Sequence, residues 1–157
     1  MASVELNIQG LDELNKKLKQ LGNSKIAKRI ARKAGRQAMN LVRDAARNNA
    51  KAIDDPETRE KIHKNIVTQG GKSRNPNEIK IRVGVKGGAA MNANSNREAL
   101  SGLSGGNTTY WRYLEFGASQ MPATPFMRPA LANNIAQVTA KFVDVFGTEI
   151  DKEIAKL

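Results

Sequence analysis

Cysteine is absent from this chain of 157 residues. Its absence excludes disulfides, thiol catalysis and cysteine-based metal sites, and it suits a cytosolic origin. Histidine occurs once, at His63, where we expect an exposed polar side chain rather than a catalytic one. No histidine pair or tight acidic cluster offers metal ligands. We therefore expect no metal, no cofactor and no enzymatic activity.

Long apolar runs are also missing, because no stretch approaches the roughly 18 residues that a membrane span needs. The N-terminal segment lacks a basic start and an apolar core, so we expect no secretory signal peptide. The segment Gly70–Ser73 (GGKS) suggests a phosphate-binding loop, but Ile66 stands where that motif needs its first glycine. A turn-forming RNPN segment then follows in place of a helix. We interpret the segment as a hairpin turn.

Aromatic residues make up only 4% of the chain, and they are concentrated in one stretch. Residues 110–131 hold the only tryptophan, both tyrosines, two of the four phenylalanines and three of the five prolines. Large rigid side chains contribute the most burial, and prolines fix the path of the backbone. We expect this stretch to anchor the fold, an interface or both through Tyr110, Trp111, Tyr113, Glu115, Phe116, Gly117, Pro125, Phe126, Arg128 and Pro129.

Glu115 is the notable charge of this stretch, because it lies between Leu114 and Phe116. Burying an unpaired carboxylate is costly. We favour a structural salt bridge to Arg112 or Arg128, within the subunit or across an interface, over an exposed glutamate.

Positive charge is in excess, with a formal net charge of +11. Residues 1–51 carry 12 Lys and Arg against four Asp and Glu. A basic N-terminal part suggests a polyanionic neighbour such as nucleic acid. A solvated basic face that only keeps the protein soluble explains the charge equally well.

Apolar periodicity predicts the order of the elements. It gives a short strand at 4–8, a short helix at 11–21, a long helix at about 25–50, two strands at 65–68 and 79–85, and a closing helix at 131–154. Residues 110–116 fit a short helix capped by Thr108 or Thr109 and ended by Gly117, or else a strand. Residues 87–107 are rich in Gly and Asn and predict a flexible loop with a brief helix inside it. The fold class is α+β: a single domain, 1–157, with a small antiparallel sheet packed against a long N-terminal helix and a C-terminal helix.

The long helix has two different faces, because its basic residues fall on one side and mostly alanines on the other. The basic side fits a solvated surface, the lining of a DNA channel or a membrane surface. The membrane ranks last, because the apolar side lacks the Trp, Phe and multiple Leu that membrane-surface helices favour. The candidates for contact with DNA are Lys25, Lys28, Arg29, Arg32, Arg36, Arg43 and Arg47.

The segments Tyr110–Gly117 (YWRYLEFG) and Met121–Leu131 (MPATPFMRPAL) carry a family resemblance. Together they resemble the signature of the gene-ten-type tail-component family of long-tailed bacteriophages, the neck or tail-completion proteins of lambdoid and related phages. The N-terminal segment Gly10–Leu14 and the order of the elements are also similar to that family. Ala118 departs from the family pattern, which usually has threonine there.

This resemblance implies a non-enzymatic virion protein. It implies a ring of identical subunits, six or twelve, in the neck at the top of the tail, assembled in the cytoplasm of the host bacterium. The ring would join neighbouring head-closure or adaptor proteins to tail-terminator proteins, and DNA would pass through it with non-specific contacts at most. The rival is a free-standing basic nucleic-acid-binding protein. Against the rival, the aromatics are clustered rather than interleaved with basic residues.

Overall fold

The computed structural model of the chain describes residues 10–88 and 90–157. The strand predicted at residues 4–8 lies outside these residues. The elements are α1 (Leu11–Leu21), α2 (Ser24–Lys51), α3 (Ile62–Asn65), β1 (Ile66–Gly71), β2 (Lys80–Val85), α4 (Arg97–Ser101), α5 (Trp111–Phe116), α6 (Met127–Ala132) and α7 (Ile135–Ile154). Within the described ranges, no helix is both long enough and apolar enough to cross a membrane. The α+β prediction is confirmed, because long helices flank one small antiparallel sheet in a single domain.

Helix α2 is the element against which most others pack. Its first turn is capped by the Asn23 side chain, which accepts hydrogen bonds from the backbone N–H groups of Lys25 and Ile26. The buried face of α2 consists largely of small residues. Because these side chains are short, neighbouring elements approach the helix closely. It contacts α7, both strands, α6 and α3.

The two strands form an antiparallel hairpin in which Ile66 pairs with Val85 and Gly71 pairs with Lys80. The hairpin turn predicted at the GGKS segment is present, but it spans residues 72–79, and Gly70 and Gly71 belong to β1. One face of the hairpin lies against α2 at Gly35, where a Cβ atom would lie only 2.8 Å from Cγ1 of Ile81. Glycine at position 35 therefore sets how closely the sheet and the helix pack.

The apolar core consists of two clusters that share α2. The first cluster joins the C-terminal half of α2 to α3, β1 and α6, and its buried members are Val42, Ala46, Ala50, Ile62, Ile66, Phe126 and Ala130. The second joins the N-terminal half of α2 to α1 and α7, and its buried members are Leu14, Ile30, Ala34, Val145, Phe146 and Ile150. One helix therefore organises the core along its whole length.

The C-terminal part departs from the predicted single helix that starts at Leu131. The structure has two helices, α6 and α7, with a break at Asn133 and Asn134. The side-chain Nδ2 of Asn134 donates to the carbonyl of Ala130 over 2.8 Å. Because this contact satisfies a carbonyl in the last turn of α6, the chain can leave the helix there. The apolar spacing continues across the break, which is why periodicity alone did not reveal it.

Candidate functional site

The aromatic stretch begins with the short helix α5, so the helix alternative was the right one. Gly117 ends it with a φ of 80°, and its N–H donates to the carbonyl of Tyr113. A Cβ atom at Gly117 would lie 2.9 Å from the backbone nitrogen of Ala123. Both the backbone conformation and the close approach therefore require glycine at this position.

The threonine cap predicted for α5 was wrong. Tyr110 occupies the cap position, and no side chain caps the helix. The Thr108 hydroxyl instead accepts a hydrogen bond from the Asn65 amide over 2.8 Å. Thr109 donates from its hydroxyl to Asn107 over 3.0 Å. Both hydroxyls therefore form hydrogen bonds within or next to the preceding loop and are not available to cap α5.

The Glu115 carboxylate caps a different helix, α6. Its Oε2 accepts from the backbone N–H groups of Phe126 (2.7 Å) and Met127 (2.9 Å), and its Oε1 accepts from that of Arg128 (2.9 Å). The next residue is Pro129, which has no N–H to satisfy. At the start of α6, one carboxylate thus accepts from three backbone N–H groups that have no partner within the helix, and the proline that follows has no N–H.

Arg128 completes this arrangement from the solvent side. Its Nε donates to Glu115 Oε1 over 3.1 Å, and its Nη2 donates to the backbone carbonyl of Glu115 over 2.6 Å. The Glu115 side chain is 1% exposed and that of Arg128 is 58% exposed. The salt bridge favoured by the sequence therefore forms to Arg128, within the subunit.

The surroundings of Glu115 also set its pKa. Burial by itself raises the pKa of the carboxyl, because it disfavours the charged form. The three backbone donors and the Arg128 guanidinium outweigh burial, so the pKa lies below its ordinary value. Glu115 is therefore a charged cap at neutral pH.

The aromatic side chains of this stretch divide into a set that is buried or partly buried and a set that is exposed. Phe126 is 1% exposed, and Trp111 packs edge-on against it with 6.3 Å between ring centroids. The Trp111 indole N–H donates to the Gly88 carbonyl over 2.9 Å. Tyr110 packs against the same cluster as Phe126. Burial, followed by the nearby Glu60, Asp54 and Asp55 carboxylates, raises the pKa of Tyr110.

The exposed set forms a surface that we call the aromatic face: Tyr113, Phe116 and Met121, with Arg112 and Arg128. The three apolar side chains are 51%, 62% and 37% exposed. The Arg112 guanidinium carbon lies 5.7 Å from the centroid of the Tyr113 ring, and that of Arg128 lies 4.9 Å from the centroid of Phe116. Each ring therefore carries an arginine over it, at a distance typical of cation–π pairs.

The basic residues of α2 do not all occupy equivalent positions. Arg47 is half-buried and donates from Nε and Nη2 to the carbonyl of Ile66, over 3.0 and 2.7 Å. Arg43 pairs with Asp44 over 2.9 Å, and Arg29 pairs with Glu153 over 3.2 Å. The side chains of Lys25, Arg32 and Arg36 are exposed, and that of Lys28 is partly exposed.

Asn65 is an important residue that sequence reasoning missed. Its buried amide donates to the carbonyl of Gly106 (2.9 Å) as well as to Thr108, and it accepts from the N–H of Gly105 (2.8 Å). A Cβ atom at Gly105 would lie 2.0 Å from the carbonyl oxygen of Lys61. The 87–107 segment is thus held near both ends, by Asn65 and by Trp111. The only sequence signal is a lone asparagine directly before an apolar strand.

His63 departs from the expected exposed side chain. It is half-buried, and its Nδ1 lies 2.6 Å from Oδ2 of Asp54. The same carboxylate accepts from the backbone N–H groups of Ile62 and His63, so Asp54 caps α3. Within the described ranges, no group of three or more His, Asp and Glu side chains is placed to bind a metal ion.

The comparison with known families gives one match. The model of the HK97-gp10-like family, described as "Bacteriophage HK97-gp10, putative tail-component", matches residues 12–117. The match covers more than half of the chain and runs from α1 to Gly117 at the end of α5. The searches of curated proteins and of solved structures found no match.

Proposed function

The chain belongs to the HK97-gp10-like family of bacteriophage tail components, and on this premise we propose that it is a subunit of an oligomeric ring in the neck. The ring completes the tail or joins head to tail, and DNA passes through its lumen. Membership of a family of tail components is consistent with a structural protein of the virion that contacts other virion proteins and is not an enzyme.

The observation that carries the proposal is the aromatic face. Two large rings stay more than half exposed, although burying such rings stabilises a protein by about 1.5–3 kcal/mol each. Tyrosine, other aromatics and arginine are enriched at the energetic centres of protein interfaces. The aromatic face combines these residue types on one side of a short helix.

The aromatic face is also held rigidly before any partner arrives. Gly117 ends α5, and Glu115 ties the same helix to α6 through backbone hydrogen bonds. A rigid surface loses little conformational entropy on association. We therefore assign to the aromatic face the contact between neighbouring subunits, and to Glu115, Phe126, Pro129 and Gly117 the support of that surface.

A contact between two different patches of identical subunits generates a closed ring when the rotation closes. The aromatic face would bind another surface of the next subunit in this way. Six or twelve subunits, with head-closure or adaptor proteins on one side and tail-terminator proteins on the other, fit the family resemblance.

The test replaces Tyr113 and Phe116 together by serine. We expect the variant to fold with unchanged circular dichroism, because both rings are exposed, and to lose ring formation in mass photometry and negative-stain images. In the matched control, Leu41 and Leu157, which are also exposed, are replaced by serine. This control variant should still form rings.

Virion assembly supplies the second measurement. Phage carrying the double variant should accumulate full heads and separate tails. Normal infectious particles from phage that lack the protein would refute the assembly role. A strictly monomeric wild-type protein with tight, salt-sensitive affinity for DNA would instead support the rival, a free-standing nucleic-acid-binding protein.

A further inference from the structure

A basic groove of about 460 Å³ lies between the middle of α2 and the distal part of the hairpin. Arg32 and Arg36 line it from α2, and Lys72 and Lys80 line it from the hairpin. Glu78 is the one carboxylate among its lining residues. Four cationic side chains from two distant segments therefore converge on one depression.

The two arginines in this groove differ from the neighbouring cations of α2. Arg29 and Lys33 pair with Glu153 and Glu149 of α7, over 3.2 and 2.9 Å. Among the described residues, no carboxylate lies within 4.0 Å of a charged nitrogen of Arg32 or Arg36. Helix α7 thus neutralises one flank of the basic face and leaves the groove positive.

Glu78 does little to change this balance. Its carboxylate accepts a hydrogen bond from the Ser73 hydroxyl and lies 3.8 Å from Nζ of Lys80. It is therefore engaged on the hairpin side of the groove and forms no ion pair with Arg32 or Arg36.

Gly70 keeps the groove open opposite Arg36. A Cβ atom at Gly70 would lie 3.4 Å from Nη2 of Arg36, so the guanidinium lies close to the hairpin backbone. Gly70 is not among the glycines with positive φ, so its backbone conformation would accept other residues. A glycine in a strand often marks a close approach of a ligand or another backbone.

We propose that this groove binds the phosphodiester backbone of duplex DNA, with Arg32 and Arg36 as the principal phosphate contacts and Lys72 and Lys80 beside them. Arginine suits this role because its planar fork can donate two parallel hydrogen bonds to one phosphate. The inference rests on the proposed function, because the DNA that reaches the groove is the DNA that passes the ring. Among the basic residues of α2, it assigns DNA contact mainly to two arginines, and it adds two lysines from the hairpin.

The surroundings of the groove favour DNA over an acidic protein segment. A second depression of about 370 Å³ shares Arg32 and Arg36 and continues along α2 to Arg29. Because Arg29 pairs with Glu153, the unpaired part of this surface spans Arg32 to Arg36, roughly 6 Å along the helix axis, and continues across the groove to the hairpin. Ile79 and Ile81 line the groove but are only partly exposed, and none of the large exposed apolar side chains in the described part of the chain lines either depression. A linear polyanion fits such a surface, whereas a protein interface usually has an apolar anchor.

The test measures binding of a fluorescent 20-bp duplex by anisotropy at several KCl concentrations. The variant Arg32→Gln/Arg36→Gln should bind about tenfold more weakly or worse, and the slope of log Kobs against log[KCl] should become shallower by about 2. The control Lys16→Gln/Lys19→Gln removes the same charge from exposed positions on α1, and its slope should match that of the wild type.

A third variant, Gly70→Leu, fills the groove without changing the charge. We expect it to weaken DNA binding about tenfold with its circular dichroism unchanged, because position 70 is exposed and lies near the end of β1. Wild-type affinity in this variant would contradict binding within the groove.

Two results would overturn the proposal outright: no binding of the duplex by the wild type, or equal slopes for the two double variants. Ring formation, followed by mass photometry in the same proteins, separates this failure from a failure of the proposed function. An Arg32→Gln/Arg36→Gln variant that binds DNA normally but fails to assemble would assign the groove to a protein partner instead.

Discussion

Glu115 stabilises a helix to which it does not belong. It accepts hydrogen bonds from N–H groups that lie 11 to 13 residues later in the chain. An ordinary cap residue directly precedes the helix that it caps. Here the cap also joins α5 to α6, so one carboxylate fixes the angle between the exposed aromatic rings and the buried Phe126.

Replacing Glu115 by alanine should lower the free energy of unfolding by about 2–4 kcal/mol, because it removes a cap and leaves donors unsatisfied. Chemical denaturation followed by circular dichroism measures this change. Arg128→Ala is the matched comparison and should lose only about 1 kcal/mol, because its side chain is mostly exposed. Equal losses would mean that the salt bridge, rather than the backbone cap, dominates.

The lowered pKa of Glu115 gives this contribution a definite pH dependence. A carboxyl whose pKa is lower in the folded state stabilises the protein above its unfolded pKa, and this stabilisation is lost as the pH falls through the folded pKa. The difference in unfolding free energy between wild type and Glu115→Gln should therefore be largest near neutral pH and shrink below about pH 4. Glu149, whose pKa is lowered by Lys33 and Lys152, affects both proteins alike. A difference that stays constant down to pH 2 would contradict a charged cap.

The sequence predicted that Glu115 needs a partner but not that it caps a helix. Its place between two apolar residues indicated burial, and burial of a carboxylate indicated a cation nearby. The backbone donors could not be foreseen, because N–H groups leave no mark on the sequence and depend on where α6 begins. Asn65 escaped prediction for the same reason, since two of its three partners are backbone groups.

At the scale of elements, helix α2 packs against the sheet at Gly35, and helix α1 packs against α7 at Gly147. The two glycines lie within helices but in different surroundings. A Cβ atom at Gly35 would lie 2.8 Å from Ile81, whereas one at Gly147 would lie 3.7 Å from Leu14. The first distance is a clash, and the second is an ordinary contact.

The same substitution should therefore have opposite effects at these two positions. Gly147→Ala should raise the free energy of unfolding by about 0.5–1 kcal/mol, because alanine is the better helix former. Gly35→Ala should lower it by about 1–3 kcal/mol, because the hairpin must shift away from α2. Thermal denaturation of the two variants side by side measures both signs. A stabilised Gly35→Ala variant would show that the hairpin moves at little cost.

Elements with strong periodicity were predictable, and elements defined by contacts were not. The apolar stripe of α1 ends at Gly22, which has a φ of 62°. The alternation of apolar and polar residues in β2 predicted the second strand of the hairpin. The break between α6 and α7 depends on one asparagine side chain that bonds to a carbonyl four residues earlier. Such a contact competes with the helix without disturbing the apolar pattern.

At the scale of the whole molecule, the two core clusters are joined by a single helix. We expect the two clusters to unfold together. If one half of α2 unfolds, the helix is no longer continuous, and the apolar residues of the second cluster become exposed as well. The lone tryptophan, Trp111, packs against the first cluster, and Ile150 belongs to the second. A substitution in one cluster can therefore be followed by the fluorescence of a tryptophan in the other, which measures whether the two clusters unfold cooperatively.

Replacing Ile150 by alanine should cost about 2–5 kcal/mol, because the side chain is fully buried. Tryptophan fluorescence and helical circular dichroism should still report one denaturant midpoint, shifted by the same amount. Lys152→Ala removes only an exposed ion pair with Glu149 on the same helix, so it should shift the midpoint far less, by the equivalent of about 0–1 kcal/mol. A fluorescence midpoint that stays at the wild-type value would show that the two clusters unfold separately.

The position of α7 along the chain also determines when this protein can fold during its synthesis. Ile30 and Ala34 of α2 are covered by Val145, Phe146 and Ile150, which leave the ribosome more than a hundred residues later. At usual rates of translation, the alanine face of α2 waits roughly ten seconds for its cover. A prematurely terminated chain would lack that cover and stay open to proteases, so only chains that have been synthesised through α7 would be available as folded tail component.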